Sequence, residues 1–140
     1  MVFVQRFEIL PHTADVAVAI YGESLAGLFA NAGSALFELM FDMEAASGGE
    51  PIRIEAAADG IEELLVGWLS ELLFVSEVRG IALSGFEVTV NEGDSVVGSA
   101  KPTPTAGLVL TGAPIKAVTY HDLAVRRVDG VWRATVVFDV

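Results

Sequence analysis

The hydrophobic repeat changes its period at Gly80, and that change restricts the chain to folds that pack helix against sheet. Upstream, Ile61, Leu64, Leu65, Trp68, Leu69, Leu72 and Leu73 recur at three- and four-residue spacing, the apolar stripe of a helix. Glu62, Glu63, Ser70 and Glu71 fall largely off that stripe. Asp59 followed by Glu62 is an aspartate form of the capping box, and Gly80 is the expected left-handed stop. Downstream, Phe86, Val88 and Val90 alternate with Glu87 and Thr89, the two-residue period of a half-buried strand. All-helical and all-strand architectures are both excluded.

The remaining punctuation fills in the order of elements. Val2–Leu10 predicts a first strand ended by Pro11, and Val16–Tyr21 a second closed by Gly22. Ser24 is the expected N-cap of a helix running to about Phe41, with Leu25, Leu28, Phe29, Ala32, Leu36, Leu39 and Met40 on one face. Gly48-Gly49 separates it from a short strand, Ile52–Ala56. Past a turn at Asn91–Asp94, Ser95–Ala100 returns as a strand, and Lys101–Gly107 has the composition of a turn and of the most mobile loop. Asp129-Gly130 is the preferred two-residue hairpin turn, between Leu123–Val128 and Val131–Phe138. The expected fold is a single α+β domain over residues 1–140, two helices on a mixed or mainly antiparallel sheet of about seven strands.

Charge and composition then exclude whole classes of function. Eight Lys and Arg stand against 19 Asp and Glu, a net charge of −11 that would repel a nucleic acid over most of the surface. A divalent cation or a basic protein is the better-matched partner. Without cysteine there is no disulfide, zinc-thiolate or thiol nucleophile. An apolar fraction of 53% excludes a disordered tail and suits an apolar surface shared with a partner or a second copy in a homo-oligomer. Gln5, Arg6 and Glu8 interrupt the apolar start, so no signal peptide is expected. The uncharged stretches are too short to span a bilayer, and the expected setting is the cytoplasm, away from membranes.

Few residues invite chemistry. Counting outward from the hairpin turn, Arg126 faces Arg133, Asp122 faces Val137 and Tyr120 faces Asp139, with Trp132, Ala134, Val136 and Phe138 on the core face. Lys116 shares the parity of Tyr120 if the strand is unbroken. Asp139 and a terminal carboxylate on Val140 would make half of a hard-cation site, which Asp15, in a loop beside a strand, could complete for Ca²⁺ or Mg²⁺. Solvated, frayed terminal carboxylates are the plainer alternative. His12 suits a base, a metal ligand or a pH-sensitive group, and equally a backbone hydrogen bond at a turn. His121 takes core parity, as a buried, paired imidazole. Lys116 is either a strand-edge charge or an anion-binding ammonium. Arg126, Arg127 and Arg133 form a basic patch too small to bind a nucleic-acid groove.

Taken together, several segments resemble the archease family. They are His12-Thr13-Ala14-Asp15, the Gly22–Met40 stretch, the helix from Glu62 to Leu72, the run Ile115-Lys116-Ala117-Val118-Thr119-Tyr120-His121, and Phe138-Asp139-Val140. The resemblance runs the whole length. It implies a protein cofactor, not an enzyme in its own right, that assists the GTP-dependent tRNA-splicing ligase RtcB by promoting its guanylylation and multiple turnover. It also implies a divalent cation, usually Ca²⁺ with Mg²⁺ or Mn²⁺ as alternatives, held by Asp15, Asp139 and a main-chain or terminal oxygen of Val140. Lys116 takes the place of the family's functionally important lysine, and His12 lies in the same motif as Asp15. Segment 98–114 departs from the family pattern, with neither an acid nor a histidine between Gly98 and Lys116. Two other functions compete: a chaperone-like modulator shielding a partner's apolar surface, and a metal-dependent hydrolase using Asp15 and Asp139 with His12 as base.

Overall fold

The structure, a computed structural model, describes residues 5–10, 15–91 and 94–140. Its elements run β1 (Phe7–Leu10), β2 (Val16–Gly22), α1 (Leu25–Glu38), β3 (Ile52–Ala57), α2 (Ile61–Arg79), β4 (Ile81–Asn91), β5 (Ser95–Pro104), β6 (Ala117–Val128) and β7 (Val131–Asp139), with single 3₁₀ turns at Met43–Ala45 and Thr105–Gly107. The expected α+β class is therefore observed. Among the described residues every strand pairing is antiparallel, and the seven strands divide into two sheets, ordered β1-β2-β7-β6 and β3-β5-β4. The parts of the expected first strand at Val2–Val4, of the loop at Pro11–Ala14 (His12 included) and of the turn at Glu92-Gly93 lie outside the described residues.

Both helices bridge the sheets. α1 packs on β2 and β4, and α2 on β3 and β6, so each apolar stripe closes one side of a shared core. Leu28, Phe29, Leu36, Leu64, Trp68, Leu69 and Leu72 are fully buried there together with Ile20 and Phe138. The Trp68 indole N–H donates to the Phe29 carbonyl at 3.0 Å, which supplies the one polar atom of that ring with a partner and ties α2 to α1.

Local chemistry accounts for most boundaries and for three departures. Ser24 accepts from the Gly27 amide at 3.0 Å, as an N-cap should. α1 stops at Glu38, short of Phe41, because the segment that follows β5 competes for its last turn: the Asp42 amide donates to Val109 and the Thr111 amide to Met40, both at 2.9 Å. The N-cap of α2 is Gly60, not Asp59, and no side chain caps it. Starting one residue late puts Glu63 at the third helical position, its carboxylate lying 2.5 Å from where a Gly60 Cβ would stand. Gly80 is left-handed, at φ 63°.

The third departure is Lys101–Pro104, which is strand and not turn. These residues pair with Ile81–Ser84 of β4, while β3 reaches only Ala100, so one edge of the segment has no ladder to join. Proline lacks an amide hydrogen but loses nothing on such an edge. Pro102 offers its carbonyl there, and the Gly49 amide takes it at 2.9 Å.

Candidate functional site

β7 is the organising strand of the site because it is paired on both sides. Near its end Val16 lies opposite Phe138, the last pair of that ladder, so Asp15 and Asp139 are the residues next in sequence beyond it. On its other side Ala117 lies opposite Asp139, and the Lys116 amide donates to the Asp139 carbonyl at 2.8 Å. Segments around residues 15, 116 and 139 thus meet at one end of the four-stranded sheet. Successive residues of a strand point to opposite faces. Phe138 is buried in the core and Asp139 is exposed, so the Asp139 side chain lies on the face turned away from the helices.

The donor set suits a hard cation. Asp15 and Asp139 supply carboxylates only, and neither forms an ion pair with a described residue. Oxygen ligands from two carboxylates, main-chain carbonyls such as that of Val140, and water are what Ca²⁺ or Mg²⁺ takes. Among the described residues no three His, Cys, Asp or Glu side chains converge, so any cation here would draw most of its ligands from main-chain oxygens and water.

The hairpin register holds near the turn and fails beyond it. Val128 faces Val131 and Arg126 faces Arg133, as the sequence indicates, but Thr119 and not Asp122 faces Val137. Between Thr119 and Ala124 the β6 strand has four residues where β7 has one between Val137 and Thr135, so three are extra. They are accommodated as a bulge around Tyr120–Asp122, with Asp122 left-handed at φ 52°. Three corrections follow. Tyr120 does not face Asp139 but stands 64% exposed. His121 is not buried either; its imidazole lies 3.2 Å from the Asp122 carboxylate, with both side chains exposed. Lys116 loses the parity it was expected to share with Asp139, since Ala117 occupies the facing position. What sequence reasoning missed at this site is the Lys116 backbone amide, for which no side-chain signal exists.

The model of the "Archease protein family (MTH1598/TM1083)" matches residues 7–140. The chain belongs to the archease family. This archease is 37% identical to the protein archease of Methanopyrus kandleri over 138 residues, covering 96% of this chain and 99% of the relative. It is 35% identical to that of Methanosarcina mazei over 143 residues, covering 97% of each. The solution structure of Methanobacterium thermoautotrophicum protein 1598 superposes with a TM-score of 0.77 at 30% identity, covering 96% of this chain and 99% of that one. The fold is also that of the crystal structure of a Thermotoga maritima archease, itself described as a possible chaperone, with a TM-score of 0.66 at 24% identity over 95% and 96% of the two chains.

Proposed function

We propose that this archease is a non-enzymatic accessory protein of the cytoplasm that activates a GTP-dependent tRNA-splicing RNA ligase of the RtcB type, promoting its guanylylation and multiple turnover. The observation that supports the reading is the register of β2 on β7, which pairs Val16 with Phe138 and so brings the segments that carry Asp15 and Asp139, far apart in sequence, to one end of the sheet. These two carboxylates, with the main-chain oxygen of Val140, would hold a divalent cation, with Ca²⁺ the first choice. Bound there, such an ion supplies positive charge for phosphate oxygens of a nucleotide.

The chain's own residues do the rest. The Lys116 amide fixes the Asp139 main chain, so the carboxylate is presented from a paired strand end and not a frayed one. The Lys116 ammonium is exposed, forms no ion pair with a described carboxylate, and is assigned to a phosphate contact. A charge of −11 suits docking on a basic RNA-binding ligase. No helix among the described residues is long and apolar enough to cross a membrane.

The test is RNA joining with limiting ligase and excess substrate, with a divalent-ion titration alongside. Asp15→Asn combined with Asp139→Asn should abolish stimulation and weaken cation binding by on the order of 100-fold or more. Full stimulation by that double variant would overturn the reading. A second reading, the chaperone-like modulator, draws on Phe74 and Val78, which stand 60% and 66% exposed four residues apart on the outer face of α2. It predicts that stimulation survives loss of both aspartates and fails in Phe74→Ser.

A further inference from the structure

We propose that the turn end of the β6–β7 hairpin carries a binding site for a phosphate monoester dianion. Three of the chain's eight cationic side chains, Arg126, Arg127 and Arg133, gather there. Arg126 and Arg133 are directly opposed in the ladder, so both project from the same face. An opening of about 330 Å³ on that face is lined by Ala124, Arg126, Val128, Arg133 and Thr135. In the neighbouring strand Tyr21 faces Arg133, and its ring centroid lies 5.8 Å from the guanidinium carbon. The ring positions that guanidinium through a cation–π contact, and its N–H fork forms no hydrogen bond or ion pair with a described side chain.

The charge balance gives the ligand. The chain has 19 carboxylate side chains, yet neither Arg126 nor Arg133 forms an ion pair with a described one. Two like charges held face to face weaken a ladder, and a single doubly charged anion between them removes the penalty. A carboxylate would neutralise only one of the two. Arginine forks match phosphate oxygens in a bidentate manner, and the Thr135 hydroxyl, one same-face step along β7, adds a donor. A net charge of −11 repels a long polyanion, so the site suits one terminal phosphate and not an internal phosphodiester backbone. The site lies six residues along β7 from Asp139, about 20 Å away, and stands independently of the ligase reading.

The full chain, without ligase or divalent ion, is titrated with inorganic phosphate, and the arginine side-chain resonances are followed by NMR against acetate at matched ionic strength. Separate arms use a short oligoribonucleotide with and without a 5′-phosphate. Saturable shifts of Arg126 and Arg133 with phosphate, absent with acetate, support the site. So does affinity about tenfold weaker in Arg126→Gln or Arg133→Gln, with Arg133→Lys in between. Binding of inorganic phosphate but neither oligonucleotide assigns the site to small phosphate compounds, and preference for the phosphorylated oligonucleotide assigns it to an RNA end. Equal shifts with acetate, equal affinity for both oligonucleotides, or unchanged phosphate affinity in the folded Gln variants would overturn the proposal. In that event the arginines serve only to guard β6, the outermost strand of its sheet.

Discussion

The two ends of β7 are built by different rules. At the turn end its partner strand follows the spacing set by Asp129-Gly130, both left-handed, at φ 52° and 78°. At the open end the same partner has slipped by three residues, and the place of Asp139 is fixed by Phe138, buried between Val16 and Val118. A tight turn dictates register only for the residues near it; farther out, burial of the large side chains decides. The turn end also opposes like charges, Arg126 with Arg133. A ladder tolerates such pairs at a cost of roughly 0.2–1 kcal/mol each, which a counter-ion can offset.

Substitutions at the two ends can break or sharpen this contrast. Removing the anchor of the open end should have the largest effect: Phe138→Ala is expected to cost about 3–5 kcal/mol in urea unfolding. A loss below about 1 kcal/mol would mean that core burial does not set that end. At the turn, Gly130→Ala forces a left-handed conformation on a residue with a Cβ and should cost roughly 1–2 kcal/mol. Its amide spectrum should change around residues 126–133 and stay unchanged at Asp15 and Asp139. The smallest effect is expected from deleting Tyr120–Asp122, which makes Thr119 and Leu123 consecutive and merges the two registers into one. Stability should then stay within about 1 kcal/mol, because the deleted side chains are exposed and the His121–Asp122 ion pair lies in solvent. A loss of several-fold that size would show the bulge to be packed, and the ends to be coupled through it.

The same contrast explains what the sequence could and could not reveal. Both helices, the Asp129-Gly130 hairpin and the core face Ala134, Val136 and Phe138 were legible because each is a local pattern with a local cause. A meeting of Asp15 with Asp139 was legible only as a hypothesis about loop and strand ends, and the β2–β7 ladder brings together the segments that carry them. The bulge was not legible: no glycine or proline marks Tyr120-His121-Asp122, and an outermost strand gives way to three extra residues without a compositional trace. Pro102 and Pro104 misled in the other direction, since whether proline breaks a strand depends on which edge is paired. The capping residue of α2 was misplaced by one because Asp59 and Gly60 both suit that role and only the start of the helix distinguishes them.

The two tryptophans sit in unlike surroundings, and the protein therefore carries two built-in optical reporters. Trp68 is sealed in the core with its indole hydrogen-bonded to a carbonyl, so its emission should be blue-shifted and respond only to global unfolding. Trp132 is half-buried opposite Arg127, one residue from Arg133, and its quenching would follow events at the cationic end of the hairpin. Replacing either ring with phenylalanine would separate the two signals without a label.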